Sequence, residues 1–355
     1  MTAEGAKGAG LGGASCPLPA GTGDVVELAH GSGGRRMHDL LREVFLPAFG
    51  DPLQACGHDS AVFQADAGRM AFTTDGYVVR PLEFPGGDIG SLAVHGTVND
   101  LLVGGARPKF LSASFILEAG LPLATLRRLV DSMVAAATAS GVAIVTGDTK
   151  VVEQGHGDGL YITTSGVGVV PARIAVSPTR LRPGDRVILS GDIGRHGIAV
   201  MAAREGLPFS PAITSDSAPL TSSILPLLDS GITVHCLRDL TRGGLASAVL
   251  ELAGSAGVDI HIDEECIAVR DDVEAACELL GLDPLHVANE GRFIAVVPEA
   301  SMADCLALLA TTPLAADARV IGEVVAGAGR VQVTTAVGTR RPLTMLTGEQ
   351  LPRIC

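Results

Sequence analysis

VAIVTGDTK, residues 142–150, is the stretch whose reading decides the architecture. Val142 to Val145 has the length and β-branched character of a buried strand, and Gly147 and Asp148 read as the loop that ends it. The segment before it, 122–140, repeats Leu126, Leu129, Val130, Met133, Val134 and Ala137 at three- and four-residue spacing, which predicts an amphipathic helix. Working outward, strands are predicted at 70–79, 109–117 and 159–170, with a helix near 88–103. A further helix over 35–47 follows the loop HGSGG (30–34). Pro171, Pro178, Pro183 and Gly184 cluster between elements and mark a domain boundary. Beyond it, strands are expected at 186–191, 232–237, 258–262, 292–298, 318–326 and 330–335. Helices are expected at 196–205, 220–229, 243–256, 271–280 and 300–310. The helices are not regular one-per-crossover partners, so the predicted class is α+β, with two mixed α/β domains over 25–170 and 171–338. Residues 1–24 read as a disordered Gly/Ala tail, and 339–355 as a flexible tail carrying Cys355.

Composition narrows the function classes. Asp plus Glu outnumber Lys plus Arg by 39 to 26, and the net charge of −13 disfavours nucleic acid or an anionic membrane as a bulk partner. Aromatic residues are 3% with no Trp, which argues against base-stacking platforms. No run of 18 apolar residues suggests a membrane span. The seven cysteines have no CxxC pairing, and the N-terminus lacks the apolar core of a signal peptide, so a cytoplasmic chain with reduced thiols is expected. A formal GxGxxG at Gly8, Gly10 and Gly13 has no strand before it and no helix after it, so it is not read as a dinucleotide site.

P-loop, zincin and serine-hydrolase signatures are absent. What recurs is an aspartate at a strand end or in a Gly-containing loop: GHDSAV (Asp59), TTDGY (Asp75), TVNDLLVGGA (Asp100), VTGDTK (Asp148) and RDLTRGG (Asp239). Each alone reads as an N-cap or turn residue. Together they suggest a converging acidic site, which requires cations or protonation because neighbouring carboxylates repel. Mg²⁺ between carboxylates and a polyphosphate meets that need. HGSGG and Gly243–Gly244 can offer bare backbone N–H groups to phosphate.

In this order, HDSAV, TTDGYVV, FPGGDIG, GTVNDL, TGDTK, RDLTRGG and ANEG, ending in LPRIC, resemble the HypE family of carbamoyl dehydratases in hydrogenase maturation. That family lies within the ATP-binding superfamily of aminoimidazole ribonucleotide synthetase. The resemblance covers about 25–355 and implies two domains of that type. It implies Mg²⁺–ATP carboxylates at Asp59, Asp75, Asp100, Asp148 and Asp239, with Asn99 beside them. It also implies phosphate contacts from a mobile loop of Gly31, Ser32, Gly33 and Gly34 and from Arg242, Gly243 and Gly244. Lys150, Asn289 and Glu290 match positions facing the reacting group. Cys355 would receive a carbamoyl group from a partner carbamoyltransferase and be dehydrated to thiocyanate. The cyanide would pass to iron on a scaffold complex, and the protein would be a homodimer. One departure is Ala119 in FILEAG, where a second Glu is expected.

The residues support parts of this chemistry independently. Dehydration needs a base within hydrogen-bond reach, and Glu290 is the candidate, with Lys150 to stabilise charge or relay a proton. Cys355 cannot be prenylated, because three residues must follow such a cysteine. Its neighbouring α-carboxylate disfavours the thiolate, which suits a group that is modified rather than a self-activated nucleophile. His30 and His196 read as structural or phosphate-proximal, and Cys16 carries no assignment. Two alternatives stay open: a superfamily kinase for another small acceptor, and an ATP-binding carrier that presents Cys355 without chemistry.

Overall fold

The computed structural model describes residues 25–27, 40–49, 69–345 and 354–355. Gly31, Ser32, Gly33, Gly34, His30, Asp59 and Cys16 lie outside the described residues. Of the helix expected over 35–47, the described part is a π-helical turn, Leu41–Phe45, running into α1 (Leu46–Phe49).

A four-stranded sheet organises the first half. Its strands are β1 (Arg69–Tyr77), β4 (Arg107–Glu118), β5 (Ala143–Val152) and β6 (Leu160–Val170), in the order β1-β6-β4-β5, with β4 and β5 parallel. A small hairpin of β2 (Glu83–Phe84) and β3 (Gly87–Asp88) leads into α2 (Ile89–Val103). Asp88 starts α2 with a capping box: its carboxylate accepts from the Ser91 backbone N–H at 2.9 Å, and Ser91 Oγ accepts from the Asp88 N–H at 3.1 Å. Helix α3 (Leu123–Ser140) buries the stripe read from the sequence and ends at Gly141 in the left-handed region. Helices α2 and α3 cover one face of the sheet. Period-two alternation along β1 points Thr73, Asp75 and Tyr77 toward them and leaves Phe72 on the other face, 71% exposed.

The TGD segment is not the end of its strand. Strand β5 runs through Gly147 and Asp148 to Val152, and the glycine serves close pairing rather than a turn: a Cβ on Gly147 would lie 2.3 Å from the Ala113 carbonyl oxygen.

The second half holds seven strands. They are β7 (Asp185–Leu189), β8 (Cys236–Asp239), β9 (Asp259–Asp263), β10 (Phe293–Pro298), β11 (Arg319–Val325), β12 (Val331–Thr334) and β13 (Arg340–Pro342). Their order is β13-β12-β9-β11-β7-β10-β8, antiparallel except for β12 with β9. Helices α4 (Arg195–Glu205), α5 (Thr221–Asp229), α6 (Gly244–Ala256), α7 (Asp271–Leu280) and α8 (Glu299–Leu309) accompany them. Of the stretch expected as a C-terminal tail, the described part includes β13, which adds a sheet edge, and Ile354, which is buried. Among the described residues no helix is long and apolar enough to cross a membrane.

One buried cluster joins the two halves. Leu92, Val98 and Leu102 of α2 belong to the same core as Leu220, Ile224 and Leu227 around α5 and Phe293 of β10. Asn99 on α2 pins this junction. Its amide donates to the Ala218 carbonyl at 3.1 Å, and its oxygen accepts from the Leu220 N–H at 2.8 Å.

Close approach of α2 to β1 depends on Gly96, where a Cβ would fall 2.2 Å from the Tyr77 hydroxyl. Gly96→Ala should destabilise the protein by about 1–3 kcal/mol. Adding Tyr77→Phe should recover part of that loss. Thermal denaturation of the two single variants, the double variant and the parent checks the coupling.

Candidate functional site

The end of β1, the middle of α2, the end of β8 and the ANEG turn before β10 meet at a small pocket of about 50 Å³. It is lined by Asp75, Tyr77, Asp100, Asp239, Thr241, Arg242, Glu290 and Cys355, with Gly76 and Gly96 forming part of its wall. Three of the aspartates in the sequence pattern are therefore brought together, although 25 to 164 residues separate them.

Hydroxyls hold the carboxylates in place. Thr73 donates to Asp100 Oδ2 at 2.8 Å, and Thr97 donates to Asp75 Oδ2 at 3.2 Å. Tyr77 approaches the same Asp75 oxygen at 3.4 Å. Burial raises the carboxyl pKa values, because charge in a poorly solvated site is disfavoured. For Asp100, burial and then the charges of Asp239 and Asp75 push the pKa up to about 7. Asp239 is raised to about 6, chiefly by burial, against the opposing pull of Arg238. Glu290 is pushed well above the carboxylate range by burial and by Asp239, Asp216 and Asp75. Its Oε1 is buried without a hydrogen-bond partner. A site this acidic takes up protons or a cation.

Cys355 sits half-buried beside Glu290, and the thiol and carboxyl interact directly. Burial first, and Glu290 second, push the thiol well above its ordinary range, while Arg242 opposes them. The thiol rests protonated, as the α-carboxylate argument expects, but burial is the leading cause.

Asp148 and Lys150 are not brought to this pocket. In the sheet register Asp75 lies opposite Thr164, Thr164 opposite Ala113, and Ala113 opposite Gly147. Asp148 is thus one residue out of the Asp75 row and points from the opposite face, three strands or about 14 Å away. There it pairs with Lys150 at 2.9 Å, both exposed, and that ammonium holds its carboxyl below the usual range. Asn289 is fully buried and engaged with backbone: Gly194 N–H donates to its oxygen at 2.7 Å, and its amide donates to the Leu240 and Val287 carbonyls. It shapes the ANEG turn and does not line the pocket. Gly243 and Gly244 both take positive φ at the start of α6. A Cβ on Gly244 would lie 2.6 Å from the Leu285 and Val287 carbonyl oxygens.

Sequence reasoning missed Asp216. It is buried, and its carboxylate accepts from the Gly291 N–H at 3.1 Å and the Glu290 N–H at 3.4 Å, so it fixes the turn that carries Glu290. A lone Asp in SDSAP carries no motif that could have signalled this. Among the described residues, no three His, Cys, Asp or Glu side chains form a ready-made metal cage.

The raised Asp100 and Asp239 pKa values tie stability to pH. The fold holds protons there that the unfolded chain releases near pH 4, so stability falls from about pH 4 upward and the loss is complete once pH passes about 6 to 7. Without nucleotide or metal, Asp100→Asn should therefore raise the melting midpoint by a few degrees at pH 8 and by clearly less at pH 5. Calorimetric scans at the two pH values check this.

The chain is similar to known proteins over most of its length. The family model "AIR synthase related protein, N-terminal domain" matches residues 57–170, and the corresponding C-terminal domain matches 182–334. Carbamoyl dehydratase HypE of Cupriavidus necator is 52% identical over 332 residues, covering 93% of this chain and 95% of the relative. A crystal structure of hydrogenase maturation protein HypE in complex with ATP superposes with a TM-score of 0.89 at 46% identity, covering 93% of this chain and 99% of that one. A HypE–HypF complex structure matches with a TM-score of 0.76 at 45% identity, over 86% of this chain and 99% of that one. The chain therefore belongs to the HypE family of carbamoyl dehydratases, built on the two AIR synthase related domains.

Proposed function

We propose that this protein is a cytoplasmic, Mg²⁺- and ATP-dependent carbamoyl dehydratase of hydrogenase maturation. It converts an S-carbamoyl group on its own Cys355 to a thiocyanate, the source of a cyanide ligand for iron. The observation that carries this reading is the seat of Cys355: its thiol meets Glu290 in an acidic pocket, and one Glu290 oxygen, buried and unpartnered, awaits a donor. A carbamoyl N–H attached to that sulfur is such a donor.

The carbamoyl oxygen is a poor leaving group until it is phosphorylated. Its attack on the γ-phosphorus of ATP forms a C–O–P linkage and breaks the bond to the bridging oxygen. ADP leaves, and one N–H proton is lost. Loss of the second N–H proton then breaks the C–O bond, expels inorganic phosphate and forms the C≡N triple bond. Glu290 is the base for these protons. Its raised pKa makes its carboxylate, when ionised, a stronger proton acceptor than an ordinary one. Phosphoryl transfer rests mostly on positioning and charge neutralisation, which suits a site without a covalent nucleophile other than the modified sulfur.

The donor set fits Mg²⁺ shared with a polyphosphate, since that ion takes one or two carboxylates and completes its shell with phosphate and water. Asp75, Asp100 and Asp239 would hold it, and it would neutralise phosphate charge. Arg242 and the start of α6 at Gly243–Gly244 would face the phosphates. Gly31, Ser32, Gly33 and Gly34 would complete those phosphate contacts and Asp59 would join the Mg²⁺ carboxylates, while Asn99 and Asn289 would act by pinning the junction and the ANEG turn. Asp148 and Lys150 share the sheet face opposite α2 and α3 with Phe72, Met70 and Ile116, which are 71%, 44% and 40% exposed among the described residues. A second copy on this face would make the homodimer and place the Lys150 pair at the subunit boundary. A carbamoyltransferase, corresponding to HypF in the relative's complex, would load Cys355, and an iron-carrying scaffold would accept the cyanide.

Mass spectrometry tests the chemistry. After carbamoylation by the transferase and addition of Mg–ATP, the peptide released after Glu349 should lose one water at Cys355. An unchanged carbamoyl mass would overturn the proposal. Glu290→Gln should slow that loss by roughly 10²-fold or more while ATP affinity, measured by calorimetry, is retained. Phe72→Glu should shift the sedimentation profile from dimer to monomer.

A further inference from the structure

His196 opens α4 with no exposed surface, and both of its ring nitrogens are engaged. Nε2 lies 3.0 Å from the carbonyl oxygen of Ile354, the penultimate residue, and Nδ1 lies 2.8 Å from Ser215 Oγ. A carbonyl can only accept, so Nε2 carries the proton, and Nδ1 accepts from the Ser215 hydroxyl. Ser215 is itself held from two sides. Its Oγ accepts from the Ser217 N–H at 3.0 Å, and its N–H donates to the Pro85 carbonyl at 2.8 Å. Gly86 makes that last contact possible: it has φ +92, and a Cβ there would lie 2.8 Å from the Ser215 nitrogen. Phe84 packs edge-on against the imidazole, with ring centroids 5.4 Å apart. Burial keeps the ring neutral, which the single-donor arrangement requires.

We propose that His196 is the positioning residue that docks the C-terminal tail, its Nε2–H holding the Ile354 carbonyl so that Cys355 enters the pocket beside Glu290. The chain from the Pro85–Gly86 turn through Ser215 to His196 gives this donor a fixed direction. Because the contact is to backbone, it sets the depth of the tail without reading the Ile354 side chain, whose burial in the shared core adds apolar anchoring. Docking and release of this bond set two opposed properties. A docked Cys355 is aligned for dehydration, and a released one is open to modification by reagents and by the loading enzyme. The alignment for dehydration rests on the proposed function above; the docking itself does not.

Two near-isosteric variants separate docking from fold maintenance. Gln at 196 keeps an N–H donor near the Nε2 position, whereas Asn keeps only the side facing Ser215. Iodoacetamide labelling of Cys355, followed by mass spectrometry of the peptide released after Glu349, reads tail exposure without any turnover. His196→Asn should label about tenfold faster than the parent, the effect of one buried hydrogen bond, and His196→Gln should stay close to the parent. Melting midpoints of the two variants should agree with each other. On carbamoylated protein with Mg–ATP, His196→Asn should lose water about tenfold more slowly while ATP affinity is unchanged. Equal labelling rates in His196→Asn, His196→Gln and the parent would overturn the docking role. Faster labelling in His196→Asn, with no water loss in any of the three proteins, would uphold docking and overturn the dehydratase reading.

Discussion

Crowded negative charge at the junction of the two sheets is the constraint on which the rest of this structure depends. Asp75, Asp100, Asp239 and Glu290 line one pocket, and burial disfavours the charged forms of Asp100, Asp239 and Glu290. The fold meets that constraint with neutral partners. Thr73 and Thr97 donate hydroxyls, Tyr77 stays a phenol, and the thiol of Cys355 stays protonated. The site is stable as a protonated assembly and becomes favourable for anionic oxygens once a cation enters with them. Under the proposed function, that acidity would serve to recognise a metal–phosphate pair.

Holding that arrangement requires the two halves to be rigidly joined. The joint is made by apolar packing between α2, α5 and β10 and by a few fully engaged side chains. Asn99 stitches α2 to the segment before α5, Asp216 grips the ANEG turn, and Asn289 ties that turn to β8 and to the start of α4. Each buries polar atoms, and each satisfies them with backbone partners, which is why such residues are tolerated in a core. They position the chemistry without touching it. The C-terminal residues are attached through His196 and the burial of Ile354.

Much of the fold was legible because it is local. Helix α3 shows its stripe in Leu126, Leu129, Val130 and Met133, and β1 shows its alternation in Thr73, Asp75 and Tyr77. The acidic residues were legible as a set through their recurrence near glycines. The sequence reading failed at VTGDTK, where Gly147 and Asp148 look like a loop but continue a strand. A glycine that permits close strand pairing and a glycine that permits a turn are written with the same letter, and the nearby Ala113 carbonyl that separates them belongs to another strand.

The sequence by itself determined the element order and the α+β class, and it offered the acidic set and Cys355 as candidates. Those features follow from periodicity, composition and the identity of single residues, which are properties of neighbours along the chain. Only the tertiary structure decided that Asp75, Asp100 and Asp239 share a pocket while Asp148 and Lys150 face away. Strand parity across three registers sets that division, and no local pattern encodes it. Tertiary structure also turned His196, read from the sequence as structural or phosphate-proximal, into the donor that meets the carbonyl of Ile354, 158 residues away.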